Sequence, residues 1–326
     1  MARSGGLKRA ATVLVLLPLA AALVFAGSWW FPAGFSKDVD FIVPDGASLT
    51  TVAKDLEKQG VIGSADTFLL RARVLGSSDP VRAGEFLLPA HSSPATILDT
   101  LQHGQVLRRY VTIPEGMPSV LVYERLMAEP LLTGKVAVPA EGSVLPESYD
   151  YARGESRAAV LARMQRAMAT TLKELWARRN PDGCPLATPE DAVTLASIVE
   201  KETGKPSERR TVAGVYCNRL RIGMKLDADP TVIYPITKGK PLGRRIRQSE
   251  LEAVTGYNTY REYGLPEGPI TNPGKASLEA VLNPAPTDYL YFVADGTGGH
   301  AFARTLAEQE ANKEKWFAIR RARGEM

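Results

Sequence analysis

An uncharged run of 22 residues, Ala10 to Phe31, divides this chain before anything else can be said of its fold. A helix needs about 20 apolar residues to span a bilayer. Arg3, Lys8 and Arg9 precede the run, and positive charge stays on the cytoplasmic side. Residues 1–9 therefore read as a cytoplasmic tail and 10–31 as a transmembrane helix. Trp29, Trp30 and Phe31 stand at its far end, where an aromatic belt belongs. A cleaved signal peptide would have a shorter apolar core and a small-x-small site. "FAGSWWF" is a poor one, and no cysteine follows for lipid attachment. The expectation is a single-pass anchor in the cell inner membrane with the rest of the chain in the periplasm.

The 326 residues suffice for two domains with real cores. A net charge of +4 is too mild to argue for nucleic acid. Two cysteines, Cys184 and Cys217, and three histidines are too few for a zinc site, and no metal or other cofactor is expected. For the cysteines a single disulfide outside the cytoplasm and a pair of buried thiols are both open.

After a short linker, "DFIV" reads as a strand and "PDG" as a turn. Leu49, Val52, Ala53 and Leu56 follow at helical spacing. A second helix covers about 64–75, a strand about 84–88 and a third helix 94–102. "VPDGASLTTVAKDL" (43–56) is echoed 70 residues later by "IPEGMPSVLVYERL" (113–126), so one strand–turn–helix unit occurs twice. "EGSVLPESYDYARG" reads as loop and 156–179 as a long helix. Residues 227–229, "DAD", lack the glycine and final glutamate of a calcium loop, and with Pro230 read equally well as a loop ahead of a helix. Tyr257 to Pro286 is Pro/Gly-rich. "YLYFVA" and "HAFART" flank "DGTGG" as a hairpin, and a charged helix, 306–322, closes the chain. The mixture has no βαβ rhythm, so the fold class is α+β.

The chemistry concentrates at "LASIVEKETG" (195–204). Thr188, Pro189, Glu190 and Asp191 open a helix, and Gly204 ends it. At about 100° per residue from Val193, the apolar face centres near 200° and Glu202 falls at about 180°, inside it. Glu200 falls at about 340°. Glu202 should therefore be desolvated, with a raised pKa suited to a general acid, whereas Glu200 should be wet or at a rim. A structural salt bridge would explain Glu202 alone equally well. Downstream, Asn218, Arg219, Asp229, Tyr234, Tyr257, Asn258, Thr259 and Asn272 supply the aromatic faces and directional polar groups that suit a sugar. His300 is a lone histidine, more often structural, and "RRIR" (244–247) reads as a solvated face or a contact for an anionic surface.

These strings, from "LASIVEKETGKPSERRTVAGVYCNRL" through "YNTYREYGLPEGPITNPG" to "HAFART", resemble the YceG-like (MltG) family of endolytic murein transglycosylases. The likeness runs from about residue 40 to the C-terminus and is densest over 188–305. It implies a small LysM-like α/β module, placed with the linker at 32–108, and a mixed α+β catalytic domain at 109–326. It implies cleavage within peptidoglycan glycan strands to leave 1,6-anhydro-N-acetylmuramic acid ends, with Glu202 as the one acid and base. It also implies partnership with penicillin-binding-protein synthases. Two other functions stay open. One is a muramidase using water and a second carboxylate from Glu200, Asp227 or Asp229. The other is a non-catalytic peptidoglycan-binding scaffold that docks through the two strand–turn–helix units and the C-terminal helix.

Overall fold

The structure is a computed structural model that describes residues 20–325. The expected membrane span, 10–31, lies half outside the described residues. Within them 20–30 are helical (α1), and no described helix is long and apolar enough to cross a membrane. Trp29 is not part of an exposed aromatic belt. It is 2% exposed and tilts against Phe68, 5.6 Å between ring centroids, whereas Trp30 and Phe31 are exposed.

The chain forms two compact units that divide between Arg109 and Tyr110. The first is built from β1 (Val39–Val43), α2 (Leu49–Lys58), α3 (Ala65–Leu75), β2 (Gly84–Leu88) and α4 (Pro94–His103). β1 and β2 pair antiparallel, with Phe41 opposite Phe86. Those two rings point to one face of the pair, where Leu56 and Ile97 join them in a dry core. All three helices start at a serine, Ser48, Ser64 or Ser93, whose hydroxyl accepts a first-turn N–H.

The second unit follows as β3 (Arg109–Thr112), α5 (Ser119–Ala128), β4 (Ser148–Tyr151), α6 (Arg157–Ala177), α7 (Pro189–Glu202), α8 (Arg209–Arg221), α9 (Asp229–Thr237), α10 (Gln248–Leu251), α11 (Lys275–Leu282), β5 (Tyr291–Ala294), β6 (His300–Ala303) and α12 (Leu306–Ala322). Its sheets are two-stranded, β3 with β4 and β5 with β6. The whole is α+β.

α7 is the axis of this unit. Eight consecutive residues, Ala192 to Val199, are buried, so it is covered on all sides. α8 and α11 pack on it, and Leu195, Ile198, Tyr216 and Leu278 meet in one cluster. Thr188 and Asp191 cap its start reciprocally. Cys184 and Cys217 are joined, tying the loop before α7 to α8.

α9 is the helix expected after "DAD", whereas α11 and β4 correct the sequence reading. Residues 229–237 are a helix, α9, with Asp229 and Pro230 in its first turn, where a carboxylate and a proline are both favoured. α11 lies inside the Pro/Gly-rich stretch. Eight residues are too few to hold a helix alone, and burial of Leu278, Val281 and Leu282 supplies the stability. β4 lies within "EGSVLPESYDYARG" because pairing with β3 organises it.

Candidate active site

Glu202 is the last residue of α7. It lies in a cleft of about 520 Å³ within the second unit, walled by α8, α9, the β5–β6 hairpin and α12. The carboxyl sits deep among protein atoms, and burial drives its pKa from 4.5 up to about 7. The negative charge of Asp229 pushes in the same direction, while a hydrogen bond from Tyr216 and the charge of Arg219 oppose it. The carbonyl end of a helix also disfavours a carboxylate. Glu202 is thus about half protonated at neutral pH, a condition that lets one group give a proton and take it back.

The groups around it are held in fixed states. Tyr216 is fully buried and its hydroxyl titrates well above 10, first through burial and then through the Glu202 charge, so it stays a neutral donor. Asp229 accepts a 2.7 Å hydrogen bond from the Tyr260 hydroxyl. Arg219 is buried and donates to the carbonyls of Leu290 (2.7 Å) and Leu226 (2.8 Å), which leaves its Nη1 3.5 Å from Asp227. Burial raises the Asp227 pKa, against the pull of Arg219 and Lys225. Across the cleft His300 shares a 2.9 Å hydrogen bond with Glu208 and stands edge-on to Phe292. Tyr291 and Phe292 offer aromatic surface, and Gln309 and Lys313 of α12 complete the wall. Such a cleft can take a sugar between aromatic faces and polar partners.

Glu202, Arg219 and Asp229 are the expected residues that line this cleft. The others are placed elsewhere. Glu200 is not at a wet rim. Its side chain is 6% exposed, accepts from the Gly274 N–H at 2.9 Å and lies 3.7 Å from Arg209. Asn218 donates to the carbonyls of Thr287 and Tyr289 and holds the hairpin's approach. Asn258 gathers the carbonyls of Glu250, Leu251 and Ala253, and Thr259 bonds Thr231 at 2.9 Å. Asn272 bridges Val144 N–H to the carbonyl of Met117. Tyr234 and Tyr257 pack on each other, 4.9 Å between centroids, with the Tyr234 hydroxyl on Glu141. These residues set the loops that frame the cleft, and none of the seven lines it.

Tyr216 and the α12 pair escape a reading by periodicity. Tyr216 stands on the apolar face of α8 with Val212 and Val215. A buried tyrosine hydroxyl needs a partner, which was the available signal. Among the described residues no group of three or more His, Cys, Asp or Glu could hold a metal ion.

The chain is similar to known proteins over most of its length. It is 27% identical over 312 residues to the endolytic murein transglycosylase of Bacillus subtilis (strain 168), covering 86% of this chain and 85% of that one. It is 26% identical over 318 residues to the endolytic murein transglycosylase of Streptococcus pneumoniae serotype 2, covering 83% of this chain but 56% of the relative. A crystal structure of a yceG-like protein from Listeria monocytogenes superposes with a TM-score of 0.52 at 26% identity, covering 85% of this chain and 99% of that one. The model of the YceG-like family matches residues 41–315, and the chain belongs to that family.

Proposed function

We infer that this protein is a membrane-anchored endolytic peptidoglycan transglycosylase, cutting the MurNAc–GlcNAc bond within glycan strands to leave 1,6-anhydro-MurNAc ends. The observation that carries this reading is the placement of Glu202, desolvated at the end of α7 with its pKa raised to about 7, in an open cleft with aromatic walls. Protonated Glu202 donates to the glycosidic oxygen. An oxocarbenium-like centre develops at the muramic acid, stabilised by the neighbouring carboxylates. The sugar's own C6 hydroxyl attacks, and Glu202, now a carboxylate, takes its proton. The internal attack has a large effective molarity, so no water needs to be activated. Tyr216 holds the carboxyl in place through both states, since its own proton is not available near neutrality.

The names of the relatives support the substrate class. The charge pattern before Ala10 supports an inner-membrane anchor with the catalytic domain in the periplasm, and the Cys184–Cys217 disulfide fits an oxidising compartment. The first unit is the candidate LysM-like module. Penicillin-binding-protein synthases are the candidate partners, with termination of nascent strands as the joint outcome.

A hydrolytic reading has one specific observation in its favour: Asp227 and Asp229 line the same cleft and could direct a water. Mass spectrometry of peptidoglycan digested by the full-length protein, with Glu202→Gln alongside, decides. Anhydro-ended fragments that vanish in the variant are expected. Reducing ends would establish hydrolysis, and undiminished cleavage by the variant would remove Glu202 from the chemistry.

A further inference from the structure

A second concavity of about 450 Å³ adjoins the catalytic cleft within the same unit. The two are lined by successive residues of the same two helices. At the end of α7, Glu202 lines the cleft and Lys201 the groove. At the start of α9, Asp229 lines the cleft and Pro230 the groove. An α-helix with its side chains is about 10–12 Å across, so one polymer can reach from one site to the other.

The groove is built by two close-packed turns. The 114–118 turn is fastened by Asn272, whose carbonyl accepts from Gly116 N–H and whose amide donates to Met117 O. The 238–242 loop closes over it. Gly239 has φ +84°, and a Cβ there would stand 2.6 Å from Pro118, so only glycine permits the approach.

The chemistry of the groove differs from that of the cleft. Its floor is Met117, Pro118, Ile233 and Ile270, and hydroxyl-directed partners are sparse. Its rim is cationic. Lys201 is exposed and makes no ion pair with another described residue. Lys240 meets Glu124 in an exposed pair, which is weak, while Glu115 on the rim is turned to Arg209. Sugars need stacking faces and many hydrogen-bond partners, and the groove has few. A short peptide of small apolar residues with free carboxylates suits an apolar floor under lysines.

We propose that this groove is a stem-peptide subsite, which takes the acidic peptide borne by the muramic acid whose glycosidic bond lies at Glu202. The identity of the ligand rests on the glycan-cleaving reading above. Muramic acid carries that peptide on a lactyl ether, and five extended residues span about 17 Å, more than the roughly 10–12 Å across a helix. Seating the peptide would orient the sugar, so strands that keep their peptides would be cut in preference to bare ones.

The test uses the full-length protein in two independent measurements. The first is calorimetric titration with a synthetic alanyl-γ-D-glutamyl-diamino-acid peptide. Saturable binding is expected, weakened roughly tenfold or more by Lys201→Glu with Lys240→Glu and likewise by Leu242→Asp, with melting temperatures checking the fold. No saturable binding, or equal binding by both variants, overturns the proposal whatever the cleavage result. The second is the ratio of cleavage rates on peptide-bearing and amidase-stripped strands. The ratio should exceed one and fall toward one in both variants. A ratio at or below one in the parent protein also overturns the proposal. Peptide binding without any strand cleavage would leave the groove standing and remove the transglycosylase reading instead.

Discussion

Replacing Glu202 by glutamine should inactivate the enzyme and stabilise it at the same time, in a pH-dependent way. Burial first, then the Asp229 charge, lifts this carboxyl from 4.5 to about 7. That rise corresponds to about 3 kcal/mol of penalty on the ionised form. A raised carboxyl pKa means the folded protein holds a proton that the unfolded chain releases. The penalty is therefore absent below pH 4.5, grows between pH 4.5 and about 7, and is complete above. Glutamine is never ionised and can still accept from Tyr216. Allowing about 1 kcal/mol for its buried amide protons, the variant should gain about 2 kcal/mol at pH 8 and nothing at pH 5. For a unit of this size that is about 4–8 °C in the melting temperature, read by calorimetry on both proteins at both pH values. Cleavage should drop about 10²–10⁴-fold. The reasoning is refuted if the melting temperatures of parent and variant differ by the same amount at pH 5 and pH 8, because a carboxyl that is already ionised and solvated would behave in that way.

The parent enzyme should lose kcat/KM about tenfold per pH unit above pH 7, as Glu202 gives up its proton. Asp229→Asn removes a charge that raises Glu202 and should move this alkaline limb to lower pH, whereas Tyr216→Phe removes a bond that lowers it and should move the limb to higher pH. Limbs that move together would contradict the assignment. Asn258→Ala strips three partly buried carbonyls of their donor and should lower stability by about 1–3 kcal/mol in urea unfolding, with KM little changed. A KM effect without a stability effect would make Asn258 a substrate contact after all. Opening the Cys184–Cys217 bridge, which spans 33 residues, with serine at both positions should destabilise by about 3–4 kcal/mol. An unchanged denaturation midpoint would show that the bridge adds nothing to the fold.

Much of the site was legible from local rules because its central residue obeys them. α7 starts at Thr188 and Pro189 by capping chemistry, and Glu202 falls on the buried face by helical phase. The β5–β6 hairpin follows from "DGTGG", where Asp295 accepts the N–H groups of Thr297 and Gly299. Glu200 defied the same phase rule because a distant loop covers it: Gly274 and Arg209 supply partners that no periodicity records. Asn258, Thr259 and Asn272 have the composition of a binding loop, yet each is buried. Amides and hydroxyls satisfy backbone as readily as sugars, and only three-dimensional placement separates the two uses. α9 was legible as the helix that "DAD" precedes, and it contains two prolines, Pro230 and Pro235. One sits at the favoured first turn and the other near the end, so neither breaks it.

The two strand–turn–helix motifs, seventy residues apart, turn on glycines with the same φ of +71°, Gly46 and Gly116. Their surroundings have diverged. A side chain at 46 would meet nothing within 4 Å, whereas one at 116 would press on Glu200 and Lys201. One copy remains a free-standing connector that can drift, with asparagine or aspartate replacing glycine at small loss. The other has become a strut against the end of the helix that carries Glu202. Substitution at Gly46 should be tolerated, and the same change at Gly116 should be felt at Glu202, so one repeated motif carries two different constraints.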